Sequence, residues 1–274
     1  MRQVLLGLVQ RKKSFLAQPE WRDLPWASNP DTKSQFDRLL DIYLDMPELP
    51  AYRYTIEAMS NPRQILDGAL ATVRDGERIA LALDAWFDYF RTTLPGSLYH
   101  AELSTIDSFV DGSELGRLFP VAFHFPAFIV GQNLVYYWAA LVHVRSHLCS
   151  MHAILSRLLS MLDSIGRINL PCSCAASKDP LECLRHVTAD LLPAISRKDD
   201  WPFEAAKNIC QSVEYFFKHG VRSLGLLSVM PALLIVKNFW GKEAPGNWDL
   251  EIAWLRDTLI RIRTSGAGIA KALG

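Results

Sequence analysis

No cysteine precedes Cys149, and the whole chain of 274 residues holds five: Cys149, Cys172, Cys174, Cys183 and Cys210. An odd, sparse set in a long chain excludes a disulfide framework. Cys172 and Cys174 are one residue apart, without the Cys-x2-Cys spacing and matching second pair of a structural zinc site, so no metal is expected. Net charge is also missing, with 29 basic against 29 acidic side chains. Duplex DNA is bound by a clustered basic surface, so direct nucleic-acid binding is not expected. The one basic cluster, Arg11-Lys12-Lys13, reads as a solvated helix end.

Long apolar runs are lacking too. Leu134 to Val144 reaches about half of the roughly 20 residues needed to span a bilayer. The apolar stretch Val4–Val9 is cut short by Gln10 and three basic residues, unlike a signal peptide. No membrane association is expected, and cytoplasmic or nuclear residence follows by default. Nucleotide signatures are missing as well. Gly266-Ala267-Gly268 follows a helix and precedes none of useful length, and no Ser-His-Asp order or phosphate loop occurs. No cofactor is therefore expected.

What the chain has is hydrophobic mass in a helical rhythm. Half its residues are hydrophobic, including 8 Trp, 8 Tyr and 13 Phe, which is ample for a core. Apolar spacing predicts helices over 1–15, 31–46, 62–76, 77–94, 127–148 (continuing toward 165), 181–195, 203–218, 226–239 and 250–264. Asp31 and Thr32 are expected to cap the second, and Gly76 to end the third. Residues 18–29 read as an extended, aromatic-rich connector. From 98 to 125 the rhythm lapses, leaving room for short extended pieces and no larger sheet. Residues 169–181 form a loop. The helix through Leu134–Val144 is apolar on most faces and should be central. The expected fold is all-α: a single irregular multi-helix domain, 1–274, around a central hydrophobic helix.

A series of short stretches has an order of its own. It runs Leu24-Pro25-Trp26, Asp37-Arg38-Leu39-Leu40, Pro95-Gly96-Ser97-Leu98-Tyr99, Leu118 through Pro126, and Tyr136-Tyr137-Trp138-Ala139-Ala140-Leu141. It continues with Ala206 through Phe216 and closes on Trp254-Leu255-Arg256. This order resembles the C-terminal fungal-specific transcription factor domain of zinc-cluster (Zn2Cys6) regulators, over most of residues 20–265. Such regulators read DNA through six closely spaced cysteines near the N-terminus, which have no counterpart before Cys149. The resemblance therefore implies an effector-like helical domain without the DNA-reading module, free for recruitment into fungal secondary metabolism.

Three residues are candidates for acid–base chemistry. His124, between Phe123 and Phe125 and bracketed by Pro120 and Pro126, suits a pocket wall and titrates near neutral pH. Its ordinary role would be to cap the following helix or to satisfy loop backbone. Tyr136 heads the run Tyr136-Tyr137-Trp138, whose members cannot share a helix face. A phenol turned inward can donate to a substrate carbonyl and stabilise an enolate, although core packing is its usual work. His143 and His147, four apart, share a helix face as metal ligands do. A third ligand would have to come from Glu102, Asp107 or His124, and paired buried histidines are more often structural. His100, Glu102, Phe123, Tyr137 and Trp138 are candidate substrate contacts.

Two functions are consistent with these residues. One is a stand-alone helical domain that binds a small apolar metabolite or a protein partner. The other is a cofactor-independent isomerase or cyclase acting on a polyketide- or aromatic-type intermediate through His and Tyr. Self-association is left open. A central cavity lined by His124, Tyr136 or His143 would favour the enzyme.

Overall fold

The computed structural model describes residues 14–47, 49, 56, 61–112, 116–165, 201–218 and 222–264. Seven α-helices and one two-stranded ribbon make up this part of the chain, so the fold is all-α as expected. The expected helices over 1–15 and 181–195 and the 169–181 loop lie outside the described residues, except for 14 and 15.

The first described segment is not extended. Residues 15–32 wind through a 3-10 turn, the four-residue helix α1 (Pro19–Arg22) and two more 3-10 turns, each of the last three with a proline in its first positions. Proline presets the helical φ where no N–H donor is required, which makes successive single turns the local solution. Helix α2 (Gln35–Asp45) then starts at Ser34, later than Asp31 and Thr32. Ser34 Oγ accepts from the Asp37 N–H at 3.1 Å while an Asp37 carboxylate oxygen accepts from the Ser34 N–H at 3.3 Å. That reciprocal capping box outcompetes Asp31, which sits inside a 3-10 turn.

Helix α3 (Pro62–Thr92) is one 31-residue rod where two helices were expected. Gly76 does not end it. A Cβ at Gly76 would stand 2.7 Å from Leu148 Cδ2, so the missing side chain serves close approach to the central helix. The rod ends near Pro95-Gly96, with Gly96 at φ +87° turning the chain into the ribbon.

The ribbon pairs β1 (His100–Leu103) antiparallel with β2 (Val121–His124), His100 opposite His124 and Leu103 opposite Val121. Helix α4 (Phe128–Ile165) is the 38-residue axis of the fold. Its stretch from Leu134 to Leu141 is buried at every position. Helices α2, α3, α5 (Trp201–Lys218) and α6 (Arg222–Asn238) pack around it, along with the π turn Phe239–Glu243. Helix α7 (Asp249–Thr264) packs on α6. The buried side chains form one contiguous cluster from Leu39 to Ile262. No described helix is long and apolar enough to cross a membrane.

Candidate functional site

Alternation along the strands puts His100, Glu102 and His124 on one face of the ribbon. The Glu102 carboxylate stands between the two imidazoles, 3.2 Å from His100 Nε2 and 3.4 Å from His124 Nε2. The rings are stacked with centroids 5.6 Å apart. His100 and Glu102 are exposed, whereas His124 is mostly covered and lies edge-on to Tyr215 of α5. His124 Nε2 has no hydrogen bond of good geometry. The histidine thus neither caps α4 nor serves loop backbone, as its ordinary reading had it. It joins the ribbon to α5. Among the described residues, no three His, Cys, Asp or Glu side chains are placed to hold a metal.

Past β1 the chain is tied to α5 by one buried carboxylate. Glu214 accepts from Ser104 Oγ at 2.8 Å, Thr105 Oγ1 at 2.6 Å and the Thr105 N–H at 2.9 Å, and it pairs with Lys218 one turn on. Burial alone would push its carboxyl up. The bonds from Lys218, Thr105 and Ser104 win and bring it down to about 2. Glu214 is therefore an anion with its oxygens occupied, a fastener rather than a free base.

Beside that fastener lies a cavity of about 140 Å3. It sits where the segment 104–122 meets α5 and α7. Its walls are largely apolar, with Phe119, Val121 and Ala122 on one side, Val213 and Phe217 from α5, and Trp254 from α7. Phe119 and Trp254 meet edge to face at 4.7 Å, giving one aromatic corner. Uncharged polar side chains also line it: Ser104, which is bonded to Glu214, Gln211 of α5, 8% exposed, and Thr258 of α7, 5% exposed. Gln211 and Thr258 make no side-chain hydrogen bond within the described residues, and their polar atoms are not sealed off from the cavity. Polar groups on the wall of a largely apolar cavity are available to a ligand or to water. Cys210 contributes a buried thiol that burial holds well above its usual range, hence protonated.

The charges of the lining are already matched. Arg261 pairs with Asp257 at 2.8 Å. Asp111 accepts from the N–H groups of Ser108 and Leu118 at 2.7 and 3.0 Å. Glu214 is held as described.

The residues singled out from sequence are dispersed. Tyr136 faces α2, where its ring meets Phe36 and Tyr43 and its carbonyl accepts the Tyr43 hydroxyl at 2.6 Å. Tyr137 faces α3 in a stack with Phe87 and Trp86. Trp138 meets Tyr99, Phe123 and Phe125 at the ribbon. Three successive positions serve three different neighbours, as helical geometry requires. His143 lies elsewhere, near Glu243; burial lowers its pKa, while the Glu243 charge opposes that. Of the residues expected to act together, His100, Glu102 and His124 come together on the ribbon, and Phe123 meets Trp138. None of the eight lines the cavity.

Gln211 and Thr258 were missed because each reads as a polar position on an amphipathic helix. Glu214 carried a signal: it interrupts the apolar run Val213-Glu214-Tyr215-Phe216, where a charge implies buried partners. No protein-family model, curated protein or solved structure matches this chain. The class is therefore defined by architecture alone, an all-α domain with one ribbon and an off-axis cavity.

Proposed function

We propose that the chain is a small-molecule-binding helical domain, akin to the effector domain of the regulators it resembles. Its ligand is a small apolar or aromatic molecule held between the segment 104–122, α5 and α7. One observation carries this reading: a largely apolar cavity whose wall holds two mostly buried polar side chains that make no hydrogen bond within the described residues. Ligand sites combine apolar walls with a few placed polar groups in the same way. The size fits one ring, since an engineered cavity of roughly 150 Å3 takes benzene. The resemblance adds a fungal secondary-metabolism setting and a nuclear or cytoplasmic place of work.

Catalysis takes second place. A cofactor-independent isomerase or cyclase needs a free acid or base at its substrate, and the carboxylates of this lining, Glu214 and Asp111, have oxygens already engaged. The discriminating experiment is calorimetric titration with toluene and phenol, repeated on Ala122→Leu, which fills the cavity from the β2 side. Binding to the parent and loss in a folded A122L variant is the expected result. Equal binding by both, or none by the parent, overturns the reading.

A further inference from the structure

The chemistry of the lining narrows the ligand. Resting on the reading just given, we infer that the cavity selects a neutral, single-ring molecule with one carboxamide- or lactam-like head, and discriminates against the corresponding carboxylate. Gln211 and Thr258 carry the first half of this inference. A side-chain amide offers two N–H donors and a carbonyl acceptor, and a threonine hydroxyl both donates and accepts. Both residues are at least nine-tenths buried, line the same cavity and make no side-chain hydrogen bond within the described residues. A head that only accepts or only donates leaves part of this set unmet. An amide or lactam presents both functions side by side and meets a glutamine amide in a paired, two-bond arrangement.

The matched charges carry the second half. Arg261 is the cation of the lining, and Asp257 already neutralises it at 2.8 Å. Lys218 is paired with Glu214, which also lines the cavity, and Asp111 adds a second carboxylate. An incoming carboxylate would lose its water, find no free cation and stand near two anions. The ring belongs with Phe119 and Trp254, whose edge-to-face corner offers a flat aromatic surface.

The test is a titration series at pH 7 with benzamide, benzoate and toluene, against the parent chain and the near-isosteric variants Gln211→Leu and Thr258→Val. Benzamide should bind at least ten-fold more tightly than benzoate. In Gln211→Leu the benzamide affinity should fall by roughly ten-fold or more while toluene is retained or improved, the pattern of a buried polar group losing its match. Thr258→Val should lower benzamide affinity by a smaller factor, and thermal melts of both variants report that they are folded. If toluene binds but benzamide gains nothing over it, or benzoate binds more tightly, the polar-head inference falls and the cavity reading stands. If none of the three binds the parent, the cavity reading itself falls.

Discussion

The two sides of helix α4 are built to different standards. Toward α2 and α3 the packing is closed: Tyr43 is fully buried with its hydroxyl bonded to the Tyr136 carbonyl, and Trp86 donates to the Gln35 carbonyl at 2.9 Å. Phe87, Tyr137, Trp86 and Phe90 run on as one stack, and Gly76 lets the helices close to contact. Toward residues 104–111 and 119–122, α5 and α7, a comparable supply of aromatic rings surrounds a cavity with Gln211 and Thr258 on its wall. The first side is what a helix bundle does to be stable. The second gives up packing density that a purely structural core would keep, and such local compromises belong to sites.

Substitutions should separate these roles, beginning with the closed side. Trp86→Ala removes a buried indole from the stack and its bond to Gln35, and should cost about 3–5 kcal/mol by urea unfolding. The folded fraction should still bind toluene with unchanged affinity, because Trp86 does not line the cavity. Next in size is the fastener. Glu214 has its carboxyl pulled from an ordinary 4.5 down to about 2, so its contribution to stability is complete above about pH 4.5 and is lost as the pH falls toward 2. The contribution is on the order of 3 kcal/mol. Urea midpoints at pH 6, 4 and 2.5 should fall steeply for the parent and less for Glu214→Gln, which starts lower at pH 6. Parallel pH profiles would sink the assignment.

His143 acts in the opposite pH direction from a paired histidine. Burial lowers its pKa, so the unfolded chain takes up its proton first and stability drops as the pH goes below about 6.5. The slope from this one group is at most about 1.4 kcal/mol per pH unit. His143→Phe should flatten the profile between pH 7 and 5, a region where Glu214 contributes little slope.

The sequence made the closed side legible and the open side almost illegible, for a physical reason. A helix apolar on most faces has to be central, and Leu134–Val144 read that way from composition alone. That Tyr136, Tyr137 and Trp138 must diverge followed from helical geometry. The ribbon was visible only as a lapse between prolines. Gly76 misled because a glycine at a helix end and a glycine at a helix crossing look alike until Leu148, 72 positions away, is in place. Ser34 was passed over for Asp31 because both are good caps, and only the reply from Asp37 decides between them. His124 drew attention as an aromatic-flanked histidine, yet the cavity is built by its neighbours Val121 and Ala122. Gln211 and Thr258 gave no local signal, because their meaning is that two helices distant in sequence leave them facing one another's unfilled space.

The smallest predicted effect on stability is the most telling. Replacing a satisfied buried polar group costs energy, because its partner is left behind. Replacing one that has no protein partner by an apolar group of similar shape strands nothing. Gln211→Leu and Thr258→Val should therefore leave the ligand-free chain as stable as the parent, or raise it by up to about 1 kcal/mol, as read from urea midpoints. The same type of change on the closed side, Tyr43→Phe, takes the hydroxyl donor away from the buried Tyr136 carbonyl and should cost about 1 kcal/mol. Opposite signs on the two sides would mean that the polar groups at the cavity do not serve the stability of the fold. A loss of more than about 1 kcal/mol in Gln211→Leu would make that glutamine an ordinary structural residue and close the difference between the two sides.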